Sequence, residues 1–270
     1  MGDAGDERIE EVRLACIDVR AGAWRDRVGA LAAAVDDGVR IAAVPLAELA
    51  AFRGDWPRVA ELTELTLAEW PEPLHAGNVM HSQAGLLLRA GTQVSDPDAV
   101  ASTFLRLLES AEGPTAMALR AHADAAADLA AGRAVRLALP TALAPSAKDL
   151  PHQESAALLS VITPETAAKE LRNALVRNRF RLALAIRQAF PGVAVADLFP
   201  VLALASWQAR SGSPDTAWAL IAEHLPRWLP VDRFTVAPVE LLIDDDLFSL
   251  ITPQRAIDVL DTPRELGGTP

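Results

Sequence analysis

Cysteine is almost missing from this chain and tyrosine is wholly missing: Cys16 is the one thiol in 270 residues. A single thiol closes no internal disulfide and builds no multi-thiolate zinc cage, which excludes a disulfide scaffold and a zinc finger and makes a reducing cytoplasm the expected compartment. Positive charge is also in deficit. Twenty-five lysines and arginines stand against 36 aspartates and glutamates, a net charge of −11 with histidine neutral. That excess repels phosphate backbones and anionic headgroups at long range, so neither nucleic acid nor a membrane surface is an expected partner. Long apolar runs are lacking too. Stretches such as 199–207 fall far short of the ~20 residues that span a bilayer. Residues 1–11 alternate glycine with acidic residues, without the cationic start and apolar stretch of a secretory signal, and Asp6 stands where a myristoylation signal has Ser or Thr. Neither export nor anchoring is expected.

The compact catalytic signatures are missing as well. The chain has no glycine-rich phosphate loop, no Gly-x-Ser-x-Gly elbow and no His-Glu-x-x-His helix, so an enzyme would have to assemble its site from dispersed residues. No cofactor or metal is implied.

What the chain does contain is apolar residues at 51% and charged residues at 23%, a globular balance. Its length leaves one or two domains open. Alanine, leucine, arginine and glutamate dominate long segments with apolar positions three and four apart, which predicts an all-α protein. Over 58–70 the apolar set is Val59, Leu62, Leu65 and Trp70, with Arg58, Glu61, Glu64 and Glu69 elsewhere on the wheel. Pro164 suits the first turn of a long helix over 165–190, whose stripe of Leu171, Leu175, Leu182 and Ile186 runs on to Phe190 before Pro191-Gly192 stops it. Alanine crowds 114–135 and favours a closely packed helix.

Glycine then punctuates the helices. Gly22-Ala23-Trp24, Gly54-Asp55-Trp56 and Gly212-Ser213-Pro214 each sit between helical segments, as the tips of antiparallel hairpins would. The first two glycines are 32 residues apart and Ala90-Gly91 follows 37 later, bracketing the ~34-residue period of helix-turn-helix repeats.

These residues resemble the tetratricopeptide repeat. Its second half has Gly-Asp-aromatic, then a small residue, then a helix-ending proline; here Gly54-Asp55-Trp56 is followed by Ala60 and Pro71. A C-terminal window has Leu204-Ala205, Gly212 at the turn and Ala217 at the small position. Departures are Val59 at the small position of the first window, Pro214 in place of the second aromatic, and Arg27 in the N-terminal copy. The likeness covers 10–109 and 199–230 and implies antiparallel hairpins stacked as a tetratricopeptide-like array that binds protein. The expected organisation is an N-terminal hairpin region over 1–136, a Pro-containing loop or junction over 137–163, marked by Pro140, Pro145 and Pro151, and a C-terminal helical region over 164–270. Within the last, Thr252-Pro253 opens a short helix through Leu260 in a capping segment.

Candidate site residues are weighed against plainer roles. His75 and His81 flank Gly77-Asn78 near Glu72 and could serve proton transfer, but their spacing of six suits no zinc pattern; Gly77-Asn78 reads as a turn or cap between repeat units. Asp244, Asp245 and Asp246 lack the alternation of a calcium loop, so one of them is expected to cap a helix around 247–251 while a patch for basic partners stays open. Arg177 and Arg181 fall one turn apart on the cationic 165–190 segment, suited to an acidic partner, to a phosphate, or to pairing with neighbouring carboxylates. Trp24, Trp56, Trp70, Trp207, Trp218 and Trp228 fit packing between hairpins, or anchors for a partner.

The leading expectation is a non-catalytic protein-binding scaffold, in one version an immunity-type inhibitor that captures a basic toxin through its acidic exterior, with Trp56, Trp70, Arg177, Arg181, Asp244, Asp245 and Asp246 as partner-binding candidates. The alternatives are an enzyme or small-molecule sensor using His75, His81 and the arginine-rich helix, and a structural subunit of a larger assembly. Oligomeric state stays open.

Overall fold

A computed structural model describes residues 3–68, 76–94, 96–111, 113–138, 152–193, 198–230 and 232–264. Among them the secondary structure is wholly helical, as expected of an all-α array. In chain order the helices are α1 (Asp3–Arg20), α2 (Trp24–Asp36), α3 (Ala43–Phe52), α4 (Trp56–Ala68), α5 (Ala76–Val94), α6 (Pro97–Ser110), α7 (Gly113–Ala130), α8 (His152–Leu159), α9 (Pro164–Val176), α10 (Phe180–Ala189), α11 (Leu198–Arg210), α12 (Pro214–His224), α13 (Glu240–Ile243), α14 (Asp245–Phe248) and α15 (Pro253–Asp261), with 3₁₀ turns at Arg40–Ala42 and Leu225–Arg227. No helix among the described residues is long and apolar enough to cross a membrane. The chain divides into two compact units, one of 1–137, 230–243 and 251–270, the other of 138–229 and 244–250.

In the first unit, consecutive helices pack in pairs from α1 to α5, α7 lies on both α5 and α6, and the returning α13 and α15 pack on α5 and α3. The hairpin corners use glycine as the sequence predicts. At Gly54 (φ +74°) the N–H of Gly54 donates to Ala51 O and that of Asp55 to Ala50 O, both at 3.0 Å. This left-handed ending pairs carbonyls that the helix would leave orphaned. Gly22 (φ +94°) repeats the device after α1. Every residue of α3 is buried, which its near-continuous apolar sequence explains, since a helix apolar all round belongs in a core. A second cluster joins Met80, Leu87, Phe104, Leu107, Leu119 and Ala126 across α5, α6 and α7.

Gly91 departs from expectation. It lies inside α5 rather than at a corner, and a Cβ there would meet Val100 Cγ2 at 2.8 Å, so this glycine serves the close approach of α6. Gly77 and Asn78 likewise lie within the first turn of α5 and form no turn between repeats.

In the second unit, α10 packs on α8 and α9, α11 on α9 and α12, and the short α14 on α11. Leu171, Leu175, Leu182 and Ile186 are buried, so the predicted stripe is real, but the single helix over 165–190 is not. Asn178 takes φ +53°, a left-handed conformation that asparagine tolerates and that breaks the helix into α9 and α10. The predicted loop over 137–163 also contains α8; its stretch 139–151 lies outside the described residues. Gly212 (φ +84°) turns α11 into α12 as expected.

Candidate functional site

A groove of about 340 Å³ in the second unit is bordered by the ends of α8, α9 and α10. Two sharp corners create it. After α8 the chain turns through Ser160 to Ile162, with the Val161 N–H donating to Leu158 O at 3.3 Å, and this turn leaves Val161 74% exposed. After α9 the left-handed Asn178 reverses the chain, and the Arg179 N–H reaches back to Ala174 O at 2.8 Å. Leu158, Val161, Ile162, Ala174 and Leu182 supply the apolar lining, while Thr166, Glu170, Asn173, Arg177 and Arg179 supply the polar part. Val176, next to Arg177 in the chain, is 64% exposed. Isolated exposed valines are ordinary; a cluster of large apolar side chains around a concavity marks a place where another molecule gains by covering them.

Of the two arginines expected on one helical face, Arg177 lines this groove and Arg181 does not. The break at Asn178 falls between them, so the one-turn spacing that would align them is lost. Arg187 is held by Glu223 of α12 at 2.6 Å, the plain pairing role.

The three aspartates are split by the structure. Asp244 is fully buried; its carboxylate accepts the N–H groups of Asp246 and Leu247, each at 3.0 Å, and the Ser206 hydroxyl at 3.1 Å. It is the expected cap, on α14, and burial withdraws it from any partner-facing patch. Asp246 is engaged by Arg210 at 3.0 Å, and Asp245 is half-buried. Trp56 is half-buried at the start of α4, and none of the described tryptophans is fully exposed. Trp70 and His75 lie outside the described residues. His81 is exposed on α5, its ring 5.5 Å from that of His122 on α7, which in turn stacks on Phe104. Among the described residues no three His, Cys, Asp or Glu side chains converge to hold a metal.

Sequence reasoning missed a cluster of buried charged side chains, Arg20, Glu48 and Arg264, in the first unit. Residues 232–239 of the first unit run as an irregular strap, and their main-chain groups, without a helix or sheet to pair them, are satisfied by side chains. Glu48 accepts from Val236 N–H (2.6 Å) and Ala237 N–H (2.9 Å). Arg264 donates to Val236 O (2.7 Å) and Val259 O (2.8 Å), Arg20 to Thr235 O (3.3 Å) and the Cys16 thiol to Phe234 O (3.6 Å). Arg89 does the same for the α13 carbonyls of Leu242 and Ile243. Burial pushes the Glu48 carboxyl up to about 8 despite the two N–H groups it accepts, and neighbouring Glu240 adds to the rise. Burial also drives the Cys16 thiol up to about 12 and Arg264 down to about 10. The signal available beforehand was one carboxylate in the otherwise apolar run of α3.

A smaller groove of about 280 Å³ between α1 and α2 has Arg8 and Asp37 in its lining, paired at 2.6 Å. No protein-family description, curated protein or solved structure matches the chain.

Proposed function

We propose that this chain is a non-catalytic protein-binding scaffold of tetratricopeptide-like hairpins, and that the groove bordered by α8, α9 and α10 seats its partner. The observation that carries this reading is the exposure of Val161 beside an apolar concavity. Covering apolar surface releases roughly 25 cal/mol per Å², so an exposed valine at a ready-made groove is worth most to a partner that fills it. Helical hairpins supply rigid walls for such a groove without any reactive group.

A photo-crosslinking residue at position 161, with the same residue at Leu105 of α6 as control, tests the reading in native lysate at physiological salt. One protein captured from position 161, absent from position 105 and lost when Val161→Asp is tested with the crosslinker at a neighbouring lining position, is the expected result. Equal capture at both positions would count against it.

The charge of −11 favours a second reading, an immunity-type inhibitor whose acidic exterior captures a basic toxin. Binding of that kind would weaken steeply with salt and would be indifferent to Val161→Asp.

A further inference from the structure

We infer that the groove bordered by α8, α9 and α10 takes an amphipathic helix that is acidic at one end, with its apolar face against Val161, Ile162 and Leu182 and its carboxylates on Arg177 and Arg179. The inference rests on the scaffold reading and names the partner's chemistry. Carboxylates outnumber cations in this chain, and several arginines pair with them, Arg25 with Asp261, Arg58 with Glu61, Arg187 with Glu223 and Arg210 with Asp246. Exposed Arg172 of α9 pairs with none among the described residues, so what distinguishes Arg177 and Arg179 is the apolar groove beside them. Arg177 and Arg179 line the groove, and among the described residues neither guanidinium holds a carboxylate. Each is a planar, permanently charged fork that matches a carboxylate bidentately.

The groove is polarised along α9. Glu170 also lines it, seven residues before Arg177, which is about 10 Å along a helix axis. A bound acid therefore belongs at the Asn178 corner, away from Glu170, and the apolar contacts belong between the two ends. At physiological ionic strength charges more than about 8 Å apart are largely screened, so the arginines at contact distance outweigh the net acidity of the rest of the chain. The volume of about 340 Å³ is at the low end for a ligand pocket. It suits the side chains of one helical face, spaced i, i+3 and i+4, as helix-in-groove recognition requires.

The test uses the full chain and three synthetic peptides labelled for fluorescence anisotropy: an amphipathic helix with leucines at those spacings and a glutamate pair at one end, the same helix with lysines for the glutamates, and a scramble that destroys the apolar face. The glutamate helix is expected to bind at least tenfold tighter than the lysine helix, to weaken with salt, and to lose about tenfold in the Arg177→Gln/Arg179→Gln double variant, whose helicity and melting temperature match the parent; the scramble is expected not to bind. If the lysine helix binds as well, or the double variant binds unchanged, the acidic assignment is overturned; the scaffold reading then survives provided that Val161→Asp still abolishes binding. If no peptide binds and position 161 crosslinks nothing, both fall. Association of the chain with phosphatidylglycerol vesicles, or with itself, that depends on Val161 in the absence of peptide binding, would also overturn the helix assignment.

Discussion

Glu48 grips the main chain of Val236: its Oε2 accepts the Val236 N–H at 2.6 Å, and the side chain is wholly buried. Because burial raises this carboxyl from 4.5 to about 8, the folded protein keeps its proton over a range in which the unfolded chain has lost it. The contribution to stability is therefore fully present below about 4.5 and declines as pH rises to about 8, by at most about 1.4 kcal/mol per pH unit. Glu48→Gln still offers a carbonyl to Val236 and Ala237 and carries no titrating proton. Urea unfolding of parent and variant across this range should show the variant gaining relative stability with rising pH and levelling off above about 8. A difference that stays flat would mean that the carboxyl is ionised in the fold.

Cys16 reports on the same strap. Its thiol donates to Phe234 O and is pushed up to about 12 by burial, so it should resist a disulfide reagent at mildly alkaline pH and react fully in guanidinium. Glu48→Ala leaves the Val236 and Ala237 N–H groups without their acceptor, at about 1–3 kcal/mol per orphaned group. Opening of the strap should then quicken native-state labelling of Cys16 by about tenfold or more. Unchanged labelling kinetics in Glu48→Ala would show that the thiol is exposed by some other motion.

Helical periodicity and glycine corners made much of the fold legible, because both act locally. The buried stripe Leu171, Leu175, Leu182 and Ile186 has one period throughout, yet period alone could not reveal that Asn178 would interrupt it; asparagine is a moderate helix residue whose αL excursion is decided by packing on either side. The groove was half legible. Arg177 stood out by charge, whereas Val161 and Ile162 looked like part of a proline-rich loop, and only the third dimension brings them beside Arg179. Glu48 and Arg264 are separated by more than two hundred residues and meet through a strap with no periodicity, which leaves no pattern to read.

Two glycines inside helices should respond oppositely to alanine. Gly29 of α2 is exposed and a Cβ there meets nothing within 4 Å, so Gly29→Ala should add about 0.5–1 kcal/mol through helix propensity. At Gly91 the same gain is opposed by Val100, whose Cγ2 and Cβ would lie 2.8 and 3.2 Å from the new carbon. A β-branched side chain cannot swing its Cβ aside, and overpacking costs about 1–3 kcal/mol. Gly91→Ala is therefore expected to be destabilising on balance, by about 1 kcal/mol. Chemical denaturation of both variants checks the pair, and stabilisation by Gly91→Ala would mean that α6 is free to shift away from α5.

Asp244 binds the start of α14 and Ser206 of α11 at once, with no exposed surface. Alanine there removes the acceptor for two N–H groups, while the Ser206 hydroxyl keeps a second acceptor in the Asp246 carboxylate at 3.2 Å; Asp244→Ala should therefore cost about 2 kcal/mol, the upper end for a lost cap. Asparagine keeps one carbonyl oxygen for the Asp246 and Leu247 N–H groups, so Asp244→Asn should cost less. Ser206→Ala takes away the hydroxyl together with its need for a partner and should be milder than either, at about 1 kcal/mol. In the Ser206→Ala background, Asp244→Ala should lose only the cap; because Asp246 still accepts from the hydroxyl in the single Asp244 variant, the two substitutions are expected to be non-additive by about 0.5 kcal/mol. A double-variant cycle by denaturation measures this coupling, and full additivity would show that the Ser206 hydroxyl and the Asp244 carboxylate do not act as one unit.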